Sequence, residues 1–332
     1  MAVHNGLKPD DEGVASRDVR LAMYAPEDGG VNDHCIVRAD DGWHYFFIYR
    51  EYEKAEQITT PPQENKIGHA FSEDLFRWRS CPPAVKARPG TWESNGVWAP
   101  HVVRKDAYWY MAYTGVDDND VQRLAIVRSK DLHHWERFLD KWAVDGSDFE
   151  WFEAGTPCST HYHCRDPYLL FHQGNCLMYY TAWARDDEPC IAAARSSDMV
   201  HWEDLGPVIR MFYDGDDLVS GWTPLESCCV FERQGLWYLV YQLRGIRYHI
   251  SRDPLNWHDT TAHTFSTRMW LFRWADIERN IHIYKTKCFF GVLRFGLVKW
   301  EGEHMLPDHG INAAKIAEES KCRATVGRGG GG

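Results

Sequence analysis

The sequence has no long apolar run. No stretch of its 332 residues reaches the roughly 20 apolar positions that a membrane-spanning helix needs. Residues 1–11 show no basic segment followed by an apolar one, so no secretory leader is expected either. Positive charge is in short supply: 37 Lys and Arg stand against 48 Asp and Glu, a balance that opposes nucleic acid and anionic membrane surfaces and suits a neutral partner. Helical patterning is scarce, with only 313–319 having helix-forming composition. Before the Gly-rich tail, where 327–332 fits the pattern by composition alone, there is no Gly-x-Gly-x-x-Gly, and there is no phosphate-binding loop and no Gly-x-Ser-x-Gly, which removes support for nucleotide and serine-hydrolase chemistry. The ten cysteines form no two-part metal spacing, and Cys35, Cys176, Cys190, Cys229 and Cys288 lie inside apolar runs, where a reduced thiol behaves as a small hydrophobe. These absences predict a cytoplasmic protein without cofactor or bound metal.

Two local features test that expectation. Cys158, His161, His163 and Cys164 resemble metal ligands, but they crowd one short segment without the second half of a structural zinc site. The acidic stretches 117–120 and 214–217 lack the twelve-residue calcium loop pattern and read as solvated turns. Aromatics, in contrast, are abundant. They make up 14% of the residues, with 16 Trp and 16 Tyr, and their flat apolar faces with polar edges suit both packed β-sheets and sugar rings.

The pattern Ser-x-Asp-x-x-x-Trp occurs four times, beginning at Ser72, Ser129, Ser196 and Ser251. Its tryptophans, Trp78, Trp135, Trp202 and Trp257, stand 57, 67 and 55 residues apart, the length of four short strands with their turns. A strand-like aromatic run precedes each copy, at 43–49, 107–113, 176–180 and 236–241, and 287–300 has the same character without the Ser-x-Asp turn. Five units of about 60 residues predict an all-β fold, a five-bladed β-propeller of four-stranded antiparallel sheets around a central funnel. The propeller is expected over 31–310, after an N-terminal extension at 1–30 and before a C-terminal segment at 311–332 with a Gly-rich, disordered tail.

Asp166 lies in Cys164-Arg165-Asp166-Pro167, where proline pushes the preceding residue toward an extended conformation at a strand start. Alone it reads equally as a catalyst or as a turn acid paired with Arg165. Counting back from Gly42, Gly174 and Gly235 places Asp33, Asp166 and Glu226 at one equivalent position, each opening the first strand of its unit. In a propeller that strand lines the channel, so three carboxylates are expected to converge, at a repulsive cost usually tolerated at functional sites. The second unit has Trp98-Ala99-Pro100-His101 there instead. Trp98, His101, His161, His163 and Trp222 are expected to line the pocket.

The chain resembles the five-bladed propeller glycosidases, the superfamily of glycoside hydrolase families 32, 68 and 43. Val31-Asn32-Asp33-His34 is similar to the family 32 Asn-Asp-Pro nucleophile motif, and Gly68-His69-Ala70-Phe71-Ser72-Glu73-Asp74-Leu75-Phe76-Arg77-Trp78 to its Gly-His-Ala-x-Ser-x-Asp-Leu-x-x-Trp. Arg165-Asp166-Pro167 matches Arg-Asp-Pro, and Glu226-Ser227-Cys228 resembles Glu-Cys-Pro. Trp98-Ala99-Pro100 is closer to a second-blade segment of family 43, and the chain ends where a family 32 enzyme usually continues into a β-sandwich. The resemblance implies hydrolysis of a small oligosaccharide or glycoside at a terminal furanosyl residue. Asp33 would be nucleophile, Glu226 acid/base and Asp166 transition-state stabiliser, with Asn32 and Arg165 in contact with substrate. Arg165 would keep Asp166 ionised, while repulsion and desolvation would keep Glu226 protonated. A carboxyl separation of about 5–5.5 Å would retain configuration; roughly 6.5–9.5 Å, as for an inverting family 43-like arabinofuranosidase or xylosidase, would invert it. A non-catalytic glycan-binding propeller and a phosphorylase using Arg244 and Arg247 are the alternatives.

Overall fold

The computed structural model of the protein describes residues 22–27, 29–51, 63–153, 163–185, 188–211, 225–243, 245–266, 272–274, 281–284 and 293–308. After the short strand β1 (Ala22–Tyr24), the chain runs through successive antiparallel meanders. The first sheet is β2 (Gly29–Ala39), β3 (Gly42–Glu51), β4 (Gln63–Ser72) and β5 (Arg79–Lys86); the second is β6 (Gly96–Lys105), β7 (Tyr108–Val116), β8 (Gln122–Ser129) and β9 (Trp135–Glu136). The third is β10 (Cys164–His172), β11 (Asn175–Ala184), β12 (Glu188–Ser196) and β13 (Glu203–Arg210), and the fourth is β14 (Glu226–Arg233), β15 (Leu236–Gln242), β16 (Ile246–Ser251) and β17 (His263–Ser266). A further sheet joins β18 (Phe272–Trp274), β19 (Ile281–Tyr284), β20 (Leu293–Glu301) and β21 (His304–Asp308), with β1 returning from the other end of the chain to pair with β20. The architecture is an all-β propeller of antiparallel four-stranded sheets.

Two-residue turns set the hairpins. Gln173 and Gly174 between β10 and β11 have φ of 48° and 78°, and Gln234 and Gly235 between β14 and β15 have 54° and 79°. Positive φ at both central residues matches the right-handed twist of the flanking strands and fixes their register. The first strands β2, β6, β10 and β14 pack against one another in sequence order, with β18 following β14, so they form the inner wall. Apolar cores fill the gaps between adjacent sheets: Cys35, Phe46, Val102 and Met111 between the first and second, Ile126, Met178 and Ala192 between the second and third, Tyr179 and Val230 between the third and fourth, and Tyr238 and Met305 between the fourth and the last. The seven described cysteines are free thiols, and burial raises the pKa of both Cys176 and Cys190 to about 12, so they serve as core hydrophobes.

Every Ser-x-Asp-x-x-x-Trp copy connects the third strand of a sheet to the fourth. Asp198 Oδ1 accepts from the amides of Val200 and His201, both at 2.8 Å, and Asp131 Oδ1 does the same for His133 and His134 at 2.9 and 2.8 Å. The indole N–H then donates to the carbonyl three residues back, Trp78 to Leu75 at 2.8 Å, Trp135 to Leu132 at 3.0 Å and Trp257 to Pro254 at 2.6 Å. The carboxylate caps the turn and the tryptophan closes it. Strand β1 falls inside the segment expected to precede the propeller, and 1–21 and 309–332, including 313–319 and the Gly-rich tail, lie outside the described residues.

Candidate functional site

The inner strands β2, β6, β10 and β14 carry the same irregularity. Pairing shifts between Val31 and His34 on β2, Trp98 and His101 on β6, Arg165 and Tyr168 on β10, and Glu226 and Cys229 on β14. The unpaired residues are thus Asn32-Asp33, Ala99-Pro100, Asp166-Pro167 and Ser227-Cys228. Such β-bulges bend a strand and re-aim side chains, and they are enriched beside active sites.

This frame corrects the expected equivalence of the three acids. Glu226 precedes its bulge, Asp166 is the first bulge residue of β10, and Asp33 is the second of β2. For Asp33 the count from the glycines misleads because Gly42 opens β3 whereas Gly174 and Gly235 sit within the turns, and because the β2 arm between bulge and turn, 34–39, is one residue longer than 168–172 and 229–233; Asp166 and Glu226 differ by one because they stand eight and nine residues before turn glycines at matching places. The expected extended backbone at Asp166 is also corrected. Its φ is 58°, and Ala99 and Ser227 at the same bulge position have 49° and 58°. Positive φ is uncommon for residues with a Cβ, and here tertiary bonds hold it: the Asp166 amide donates to Thr114 Oγ1 at 3.1 Å, and its Oδ2 accepts from the Ser227 amide at 2.8 Å.

The structure brings together Asp166, Arg165, Glu226 and His163. Arg165 is 8% exposed, and its guanidinium lies 3.1 Å from Glu226 Oε1, 3.8 Å from Asp166 Oδ2 and 3.0 Å from His163 Nδ1. The histidine accepts from Arg165 through Nδ1, so its proton sits on Nε2. Arg165 therefore serves both acids, not Asp166 alone as expected. Asp166 is buried and Glu226 is half-buried, an arrangement of one fixed and one accessible carboxylate.

Asp33 is half-buried at the β2 bulge, and its charge reaches the buried Tyr45 hydroxyl, whose pKa burial raises first and Tyr24 and Asp33 raise further. Asn32 beside it donates to Glu64 Oε1 at 3.2 Å, and Glu64 also takes a hydrogen bond from Arg50. Trp98 is half-buried and its indole folds over Gly96, where a Cβ would come within 2.6 Å of Nε1. His101 is committed in part to the scaffold: Nδ1 accepts from the Leu169 amide at 3.0 Å, and its ring lies 3.8 Å from that of Tyr168, tying β6 to β10. His161, Trp222, Cys158 and Arg244 lie outside the described residues, as does 214–217. Cys164 is buried with its thiol pKa raised, chiefly by desolvation, which suits packing. Asp117, in the other acidic stretch, is occupied by turn chemistry, accepting from the amides of Asn119 at 2.9 Å and Val121 at 3.1 Å and from Arg123 at 2.9 Å.

Sequence reasoning missed Thr114, Glu64 and Arg50. Thr114 is an ordinary strand residue until β7 is laid beside β10, and Glu64 and Arg50 gain meaning only from cross-strand pairing. A cavity of about 430 Å³ opens at the hairpin end of the fourth sheet, lined by Leu236, Arg252, Asp259, His263 and His304 among others, and none of the candidate carboxylates borders it. The convergence of charged groups, and not this cavity, marks the candidate site.

Known proteins share this architecture and parts of the sequence. A curated relative, sucrose-6-phosphate hydrolase of Bacillus subtilis (strain 168), is 25% identical over 243 residues, covering 71% of this chain and 46% of the relative. The chain thus spans about half of that relative's length. A 1,2-beta-oligomannan phosphorylase of Thermoanaerobacter sp. (strain X514) is 43% identical over 60 residues, 18% of this chain and 20% of the relative. Among solved structures, sucrose-6-phosphate hydrolase from Lactobacillus gasseri superposes with a TM-score of 0.67 at 15% identity, over 91% of this chain and 65% of that one. A thermostable family-43 glycoside hydrolase gives 0.63 at 14% identity over 86% and 94%. Residues 24–216, which carry Asp33, Trp98 and Asp166, match the glycosyl hydrolases family 32 N-terminal domain, and the chain belongs to that family.

Proposed function

We propose that this protein is a glycoside hydrolase that cleaves a terminal furanosyl residue, fructofuranoside-like, from a small oligosaccharide or glycoside. The observation that carries this reading is the Arg165 guanidinium held between buried Asp166 and accessible Glu226 on adjacent inner strands, with Asp33 on the corresponding bulge of the first sheet. On this reading the sheet containing β18 to β21 is the fifth blade, and β1 closes the ring.

Asp33 attacks the anomeric carbon, and Glu226 protonates the leaving oxygen and later activates water. Asp166, fixed by the Ser227 amide, holds ring hydroxyls and meets the positive charge that develops on the sugar. The hydrogen bond from Arg165 to Glu226 refines the cycle. A guanidinium at 3.1 Å favours an ionised carboxylate, so Glu226 takes up a proton from solvent as substrate displaces that bond, gives it to the leaving oxygen, and then as a carboxylate takes one from the attacking water. Trp98, His101, His163 and Asn32 contribute walls and hydroxyl contacts, with His161 and Trp222 as further lining. Inverting chemistry, with Asp33 as base for water, is the second reading, supported by the Trp98-Ala99-Pro100 segment and the family-43 neighbour.

The test is turnover of aryl furanosides, fructans and arabinans by the full chain, with Asp33→Asn and Glu226→Gln as controls. Each variant is expected to lose at least about 10³-fold in kcat. Retained turnover in both would end the mechanism, and the anomer released first separates retention from inversion. Turnover that requires inorganic phosphate would instead mark a phosphorylase, the activity named for the Thermoanaerobacter relative.

A further inference from the structure

At the opposite end of the first sheet, three imidazoles meet away from any carboxylate of the proposed mechanism. His44 on β3 and His69 on β4 are diagonal neighbours, His44 pairing with Phe71 and His69 with Phe46, and His133 reaches them from the turn between β8 and β9 of the next sheet. His44 Nδ1 and His69 Nε2 are 2.9 Å apart, and one nitrogen from each of the three rings lies within 4.8 Å of the others. The ring centroids are 5.1, 5.0 and 5.1 Å apart. We propose that His44, His69 and His133 bind a divalent first-row transition ion of the zinc class, clamping the first sheet to the second.

The chemistry of the donors supports an ion. Zinc holds imidazole nitrogens at about 2.0–2.1 Å in a tetrahedron, which sets two ligand nitrogens about 3.3 Å apart, so the His44–His69 pair needs to open by only a few tenths of an ångström. Asp41 Oδ1 lies 3.1 Å from His44 Nε2. A carboxylate there fixes the proton on the outer nitrogen and turns the Nδ1 lone pair toward its partners, the second-layer arrangement usual for metal-bound histidine. His69 is 2% exposed and gives its Nε2 proton to His44 Nδ1; an ion replaces that hydrogen bond, and the proton moves to His69 Nδ1, which has no hydrogen-bond partner among the described residues. Both rings are buried, His44 completely, and a metal binds the neutral form of imidazole that such burial favours. His133 is 31% exposed and provides the entry path and room for a water as fourth ligand.

Three groups bear on the charge of the site: Asp41, Arg79 and His133. Arg79 opposes a cation, since its field already lowers the pKa of His44 and His69, while Asp41 favours one and also lies 3.8 Å from His133 Nε2. Imidazoles, with one carboxylate behind them, select zinc, nickel, copper or cobalt over calcium or magnesium. His44 pairs with Val37 and His69 with Phe46, itself opposite Cys35, so the two rings stand four and two residues along from Asp33 and one and two strands across, roughly 12–14 Å between backbones, and the ion takes no part in the reaction. Without an ion, the same rings would simply pack as core aromatics, His44 and His69 each stacked near Phe46.

The test uses the full chain after chelation. Calorimetric titration with Zn²⁺ is expected to show one ion per chain, and Co²⁺ to give the visible absorption of a tetrahedral nitrogen site. His133→Ala, a partly exposed position expected to fold, should weaken Zn²⁺ binding at least about 100-fold, and Asp41→Ala about 10- to 100-fold. Both variants should keep wild-type glycosidase turnover. Absence of stoichiometric binding, or His133→Ala binding Zn²⁺ as tightly as wild type, would overturn the proposal whatever the enzyme's activity proves to be.

Discussion

A planar guanidinium can meet two carboxylates and an imidazole at once because its five N–H groups lie in a fixed fork. Arg165 does this with Glu226, Asp166 and His163, and a lysine ammonium could satisfy at most part of that set. Arg165→Lys is therefore expected to lower kcat/KM by about 10²- to 10³-fold, equivalent to roughly 2.7–4 kcal/mol of transition-state stabilisation, while the melting temperature changes little. A variant with full kcat/KM would show that the guanidinium only supports the fold. At this scale the sequence revealed which acids stand on inner strands but not how they align. Asp33, Asp166 and Glu226 are legible from strand pattern and motif, yet the bulge that offsets them by one position each is a pairing property, invisible until β3, β11 and β15 are laid alongside. The clustering of Thr114 and Arg165 around Asp166 is likewise a product of neighbouring sheets.

The Ser-x-Asp-x-x-x-Trp turn was the most legible element, because its bonds are local. Its serine, aspartate and tryptophan interact within seven residues, so sequence spacing is structural spacing. Its charge makes a further demand. Asp198 is held below the usual carboxylate range by His201 and by the amides of His201 and Val200. In Asp131 and Asp74 desolvation acts in the opposite sense, but His134 with two amides, and the amides of Arg77 and Phe76, outweigh it. A depressed folded-state pKa stabilises the fold above the unfolded value of 3.8 and loses that contribution as pH falls below it. These carboxylates are about half exposed, so solvent screening limits each to a few tenths up to about 1 kcal/mol. The urea midpoint of the wild type should therefore drop steeply below about pH 4. The combined variant Asp74→Asn, Asp131→Asn, Asp198→Asn, which keeps the accepting oxygen, should start lower at pH 6 and fall less. Parallel curves for the two proteins would assign the acid sensitivity to other groups.

A ring of sheets gives every sheet two neighbours, so its weakest seam limits the whole. The repeat length made the succession of four-stranded sheets legible in the sequence, but the N-terminal strand was hidden inside what reads as an extension, because three residues carry no periodicity. That strand joins the two ends of the chain. While β1 pairs with β20, Tyr24 packs against Tyr45, Phe47 and Trp78 of the first sheet at 6.0, 5.7 and 6.5 Å between ring centroids, and its hydroxyl meets Ser80 Oγ at 2.9 Å. On its other side the last sheet is gripped by the fourth: Tyr238 donates to the Glu303 carbonyl at 2.9 Å, and the Met305 amide donates to the Tyr248 hydroxyl at 3.2 Å. One aromatic side chain thus carries much of the contact across the closing seam among the described residues, whereas the other seam has several. Tyr24→Ala is expected to cost about 2–4 kcal/mol, and Tyr24→Phe, which keeps the ring and loses the hydroxyl, about 1 kcal/mol or less. Hydrogen exchange gives the sharper measurement. If β1 closes a ring, Tyr24→Ala should release amides of β20 and of β3 together, at opposite ends of the sequence, while β10 to β12 keep their protection. Loss of protection confined to β1 itself would mean that the strand is an appendage and that the ring is held shut by other contacts.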